Sequence, residues 1–135
     1  MIAYTMVGAN DLTRARAFYE PLMREMNLQV RWDGDGQIGW GRPDDETVPH
    51  FLIGRPFNGE PATVGNGVMT AFIQPMPAQV DVLYGLAMAN GGSSEGQPGL
   101  RPQYGPGFYA AYVRDPEGNK LAFVCYRAES ADPGD

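Results

Sequence analysis

The chain has 135 residues, 43% of them apolar and 11% aromatic, enough for a cored globular unit and too apolar for a disordered or fibrous chain. Ten Lys and Arg stand against 16 Asp and Glu, a net charge of −6 and the wrong sign for a protein that neutralises nucleic-acid phosphates. No stretch approaches the roughly 20 apolar residues that span a bilayer, and Met1–Asn10 lacks the basic start and apolar run of a secretory leader, so we expect a cytoplasmic protein with neither nucleic acid nor membrane as partner. A single cysteine, Cys125, and a single histidine, His50, argue against an internal disulfide, a zinc finger, a zinc deaminase or a Cys-His hydrolase.

In chain order, Ile2–Val7 reads as a β-prone run. From Leu12 to Asn27, residues Ala15, Phe18, Tyr19, Leu22, Met23 and Met26 follow the spacing of one helix face, with Asn10 or Asp11 as cap. Strands follow at Leu28–Trp32, Gln37–Gly41 and His50–Gly54, the first two joined by a turn at Asp33-Gly34-Asp35-Gly36. Val68–Gln74 is a fifth strand. Pro77–Asn90 is a second amphipathic helix, with Pro77 in its first turn and Asn90-Gly91-Gly92 as its stop. Ser93–Tyr104 is vaguer, then Phe108–Arg114 and Lys120–Tyr126 read as strands around the turn Asp115–Asn119.

The pattern repeats. Val80, Leu83, Tyr84, Ala87 and Met88 each lie 65 residues after Ala15, Phe18, Tyr19, Leu22 and Met23, and a strand leads into both helices. We therefore expect an α+β fold of two tandem βαβββ modules in a single domain over 1–135: module one at about 1–56, a Gly/Pro-rich linker at 57–66, module two at about 67–127 and a frayed tail at 128–135.

With Asn10-Asp11-Leu12, Ala17-Phe18-Tyr19, Gly65-Asn66-Gly67 and Asp115-Pro116-Glu117-Gly118-Asn119-Lys120 in that order, the chain resembles the vicinal oxygen chelate superfamily, in particular its glyoxalase, bleomycin-resistance and dioxygenase branch. The resemblance implies an open cup of curved sheet, often completed by a second chain, with small molecules bound inside; a homodimer is the expected assembly. It also implies one divalent metal held by His, Glu or Gln from the first and last strands of the modules. In this chain those positions fall at Tyr4, seven residues before Asp11, at Met69, its mate in the repeat, at Ala122, and at about Leu52. Borderline and hard divalent ions want imidazole or carboxylate, so this set argues against a metal, and no cofactor is expected.

Strand alternation puts Tyr4 with Ile2 and Met6, Met69 with Ala71 and Ile73, and Ala122 with Val124 and Tyr126 on the cup face, leaving Leu121, Phe123 and Cys125 toward the helices. The expected cup is apolar and aromatic, with Tyr4 and Tyr126 supplying hydroxyls and Tyr104, Tyr109 or Tyr112 as further candidates. His50 shares a face with Leu52 and is a candidate acid, base or ligand anchor beside Tyr4; the alternative is a strand-end histidine bonded to backbone or water. Cys125 reads as a packed core thiol.

Other signals are weaker. Gly34-Asp35-Gly36-Gln37-Ile38-Gly39 has the letters of a dinucleotide fingerprint, but Trp40-Gly41-Arg42-Pro43 cannot open the helix that fingerprint needs. Neither aspartate-rich turn has the spacing of a calcium loop. Met23, Met26 and Met88 belong to helix stripes, whereas Met6 and Met69 are candidate ligand contacts. Arg101, at the head of a Gly/Pro-bent aromatic run, is a solvated side chain or an anion contact. Asp44, Asp45 and Glu46 form an acidic loop.

Three functions remain open. The leading one is a metal-free small-molecule binding protein acting by sequestration or sensing, for which acidity and aromatic walls suit an aromatic or cationic compound. The second is a glyoxalase-like lyase or isomerase, or a dioxygenase-related enzyme, with a displaced or absent metal and His50 or Tyr4 as acid or base. The third is a structural or regulatory dimer whose cup is filled by its own side chains.

Overall fold

In the computed structural model, which describes residues 1–128, the elements run β1 (Thr5–Gly8), α1 (Leu12–Glu25), β2 (Gln29–Gly34), β3 (Gln37–Gly41), β4 (Phe51–Gly54), β5 (Met69–Ile73), α2 (Pro77–Ala89), β6 (Ser93–Leu100), β7 (Tyr109–Arg114) and β8 (Lys120–Cys125). This is the βαβββ order twice over, in an α+β chain. The expected tail lies outside the described residues apart from Ala128, whose N–H donates to the Gly107 carbonyl. Among the described residues no helix is long and apolar enough to cross a membrane.

The chain divides into two compact units: Met1–Val68 with Pro116–Asn119, and Met69–Asp115 with the chain from Lys120 onward. In the first, the sheet order is β1-β4-β3-β2, β1 and β4 running parallel with Met6 opposite Leu52. In the second it is β5-β8-β7-β6, with Ala71 opposite Ala122 in the parallel pair. Parallel neighbours need a long crossover, and α1 and α2 fall inside those crossovers.

Local chemistry explains the elements. Asp11 caps α1, its carboxylate accepting from the Arg14 N–H at 3.0 Å. Asn27, at φ 59°, closes α1 with the Leu28 and Asn27 N–H groups donating to the Met23 and Arg24 carbonyls. The β2–β3 hairpin turns on Asp35 and Gly36 with φ 56° and 74°, the positive pair that a two-residue turn of this hand requires. The strand after it disposes of the dinucleotide reading. β6 carries a weak strand pattern because Pro98 lies inside it and its register against β7 slips twice, between Ser94 and Gly96 and between Gly96 and Gly99.

Each helix buries most of the stripe the spacing predicts, while Met26, Tyr84 and Met88 are only half-buried. Ala15, Phe18, Tyr19, Leu22 and Met23 are buried in the first unit with Trp40, Phe51 and Ile53; Val80, Leu83 and Ala87 are buried in the second with Val113, Leu121 and Phe123. Cys125 is buried too, its thiol 3.7 Å from the Pro75 carbonyl. The motif residues of the first unit are clasped together: Glu117 accepts from the backbone N–H groups of Asn10 and Asp11, both at 2.9 Å, and the Asn119 amide donates to the Gly8 carbonyl.

Candidate functional site

Each unit has a cavity on the sheet face opposite its helix, and the two occupy equivalent places. In the first unit Tyr4, Met6, Trp32, Gln37, His50 and Leu52 are among the residues around a cavity of about 490 Å³. β1 carries Met6 toward it, with Tyr4 just before the strand; Trp32 pairs with Gly39 and Gly39 with Leu52, so all three positions share that face. His50 stands just before β4 and extends its ladder, donating its N–H to the Trp40 carbonyl at 2.7 Å and accepting from Thr5 at 3.1 Å. As expected from alternation, it shares the cavity with Leu52.

The imidazole is held by one bond. Its Nδ1 is 3.2 Å from the Ala3 carbonyl; a carbonyl only accepts, so in the neutral ring Nδ1 carries the proton and Nε2 keeps a lone pair. Nε2 is sealed from solvent with no hydrogen-bond partner. Nearby, the Asp45 carboxylate accepts from the Thr47 hydroxyl at 2.8 Å and its N–H at 3.1 Å, which lowers its pKa below the usual carboxylate value; the charges of His50 and Arg42 add to the effect. Tyr4 is 60% exposed. The Trp32 indole N–H donates to the Gly34 carbonyl, and the Gln37 amide lies 3.7 Å from the Met6 sulfur.

In the second unit Met69, Glu95, Arg101, Tyr104, Phe108, Tyr112 and Lys120 are among the residues around a cavity of about 600 Å³. Register sets this wall: Met69 pairs with Lys120, and Tyr112 with Ala122. Arg101 and Lys120 both lie over the Tyr112 ring, each 5.5 Å from its centroid. Burial raises the Tyr112 pKa and nearby Tyr104 adds to this, while Arg101 opposes it. Phe108 links Tyr104 and Tyr126, with ring centroids 5.3 and 5.7 Å away.

Several expected wall residues sit elsewhere or are closed off. Ala122 and Val124 keep the expected face but are buried against Ala110, Phe108 and Tyr112, so they form the floor under the aromatics. Ala71 is exposed on the same face. Tyr126, just past β8, is 61% exposed and rests on Phe108. Tyr109 does not line this face and must be corrected: it alternates with Ala110 and Tyr112, and its hydroxyl donates to Asp81 of α2 at 2.7 Å. That bond, with burial and the Asp81 charge behind it, raises its pKa. Trp32, Gln37, Glu95, Phe108 and Lys120 were absent from the expected wall. A tryptophan on an otherwise polar strand and a lysine two residues before Ala122 were the available signals.

The four positions where the family holds its metal do not fit one. Ala122 and Leu52 have no donor atom, Met69 offers a thioether and Tyr4 a phenol, a set suited to none of zinc, nickel, manganese or iron. Among the described residues no three His, Cys, Asp or Glu side chains come together to hold a metal ion.

No protein-family model matches the chain, and neither does any curated protein. Solved structures do. A glyoxalase/bleomycin resistance protein from Albidiferax ferrireducens is 34% identical, with a TM-score of 0.80 over 91% of this chain and 96% of that one. A lactoylglutathione lyase from Agrobacterium tumefaciens, 24% identical, has a TM-score of 0.62 over 93% and 92% of the two chains. A glyoxalase-related enzyme from Fulvimarina pelagi, 19% identical, has a TM-score of 0.69 over 93% and 87%. The last two speak for the fold; the first, by identity and coverage together with the duplicated βαβββ order, shows that this chain belongs to the glyoxalase/bleomycin resistance/dioxygenase superfamily.

Proposed function

We propose that the protein binds a small organic molecule without a metal, acting by sequestration or sensing as a homodimer. The observation that carries this reading is the contrast at the site: cavities of about 490 and 600 Å³ persist on the helix-free faces, while the four family ligand positions hold no imidazole or carboxylate. The test is metal content of untagged protein, then thermal shift with nickel, zinc, manganese, cobalt and iron(II), since a ligand of the native state raises its melting temperature. Substoichiometric metal and no shift are expected. A tightly held, stoichiometric ion with an upward shift would overturn the reading. Sedimentation equilibrium checks the dimer, and a monomer at high concentration would remove it.

One observation favours a second reading, that of an enzyme. His50 lines the first cavity and its buried Nε2 has no hydrogen-bond partner among the described residues; an imidazole acting as a general base contributes about 10² to 10⁴ in rate. A solved relative is named a lactoylglutathione lyase. The assay is formation of lactoylglutathione from the hemithioacetal of methylglyoxal and glutathione with added metal chelator. Turnover abolished by His50→Gln would establish this reading, and no turnover would remove it for this substrate.

A further inference from the structure

The second cavity is basic although the protein is acidic. Arg101 and Lys120 line it together, and among the described residues neither has a carboxylate within ion-pair distance. Glu95, the one carboxylate among the lining residues, is taken up by Arg114, whose Nε donates to it at 2.9 Å. Two positive charges thus converge on one aromatic ring, and no anion among the described residues is paired with them.

Arg101 is placed rather than loose. Its guanidinium donates to the Gln97 carbonyl at 2.6 Å and to that of Leu100 at 3.4 Å, which fixes the fork while leaving its charge uncompensated. The backbone of β6 makes room for it: a Cβ on Gly96 would stand 3.3 Å from Nη2, and one on Gly99 would stand 3.1 Å from Nη1. Both slips in the β6 register involve Gly96, so the irregularity of this strand and the seat of the guanidinium coincide. Lys120 heads β8 opposite Met69, so its position is set by the ladder. Around the two cations, Tyr104, Phe108 and Tyr112 offer apolar ring surface.

We propose that this cavity takes an anionic ligand, an apolar or aromatic body carrying a carboxylate, sulfonate or phosphate group, with Arg101 and Lys120 holding the anion and Tyr104, Phe108 and Tyr112 holding the body. This rests on the small-molecule binding reading and reverses the cationic ligand that the net charge of −6 suggests. Local charge governs a bound group at contact distance; net charge acts through solvent and is screened.

The test is calorimetric titration of the full chain with three probes of one shape: naphthalenesulfonate, naphthylmethanol and naphthylmethylamine. The sulfonate should bind best, the amine worst, and added salt should weaken the sulfonate alone. Lys120→Met, which keeps the stem and drops the charge, should weaken the sulfonate about tenfold, as loss of a hydrogen bond to a charged group does. Arg101→Met should do at least as much, and circular dichroism checks that both variants fold. Equal binding of all three probes, or sulfonate binding unchanged in Lys120→Met, would overturn the anionic class while leaving a binding protein; binding of none of the three would overturn both.

Discussion

The two units are built alike where a helix covers the sheet and differently on the opposite face. Phe18 and Leu83, mates in the 65-residue repeat, are both fully buried under their helices. On the other face, strand register makes Gly39 the counterpart of Tyr112 and Leu52 the counterpart of Ala122. Bulk has changed strands: the first unit keeps it on β4, the second on β7. Two residues before Leu52 stands His50, and two before Ala122 stands Lys120. One frame thus carries a mostly apolar cavity with a single imidazole and an aromatic cavity with two cations. The duplicated core keeps its apolar character, though not its volumes, because unpaired polar groups are costly to bury, whereas an open face is free to change chemistry.

The largest test of that likeness is truncation under the helices. Phe18→Ala and Leu83→Ala should cost about 3–5 and 2–5 kcal/mol in urea unfolding. His50→Ala and Lys120→Met, on the open faces, should cost less than about 1 kcal/mol. Comparable losses at all four positions would mean that the open faces are as structural as the cores, and the comparison would fail.

The exchange of bulk is itself testable. A Cβ on Gly39 would lie 2.7 Å from the Pro49 Cβ and 3.0 Å from the Leu52 Cγ, so Gly39→Ala should cost about 1–3 kcal/mol by overpacking. The double variant with Leu52→Ala should recover part of that loss, since both changes meet in one space. Additive costs would show that Gly39 is small for another reason.

Much of this was legible in the sequence, and for stated reasons. Helix spacing and the 65-residue offset expose the duplication because the two cores repeat their apolar positions. Alternation placed His50 with Leu52 and Met69 with Ala71 because the side-chain period of a strand is two, and the family resemblance brought Met69 and Ala122 to one face. What escaped depends on partners distant in sequence. Alternation along β7 already separates Tyr109 from Tyr112, but its partner Asp81, 28 residues away, is carried by no local pattern. Arg101 and Lys120 were hidden by an acidic total: only the fold brings residues 101, 112 and 120 to one wall, and only the described pairs reveal that neither cation is matched.

Tyr109 gives the next effect in size and separates the two faces of β7. Its hydrogen bond to Asp81 raises its pKa, so the bond's stabilisation is present below the unfolded tyrosine value and is lost as pH rises through the folded one. Tyr109→Phe should lower stability by about 0.5–1 kcal/mol near neutrality, and the gap should close above about pH 10. Tyr112→Phe removes no such hydrogen bond and should not show the loss near neutrality; because burial raises the Tyr112 pKa, it too should gain on the wild type as pH rises through the tyrosine range.

The smallest expected effect sharpens the charge contrast near His50. Asp45 is depressed first by the Thr47 hydroxyl, then by the Thr47 N–H, and less by the charges of His50 and Arg42. Thr47→Val keeps shape and the backbone bond but removes the hydroxyl donor, so the Asp45 pKa should move up toward the usual carboxylate value, read by carbon-detected titration of its carboxyl. A depressed carboxylate stabilises above its unfolded pKa and loses that contribution as pH falls through the folded one, so any difference between wild type and variant should be confined to acid. If the pKa stays low in Thr47→Val, the retained Thr47 N–H bond or the charges of His50 and Arg42 hold it there, and His50→Gln separates these: release ties the depression to the imidazole, and no change leaves it with the turn and Arg42. The two outcomes assign the negative charge beside the first cavity either to a local turn or to the imidazole itself, and only the second would tie the acidic loop to whatever His50 binds.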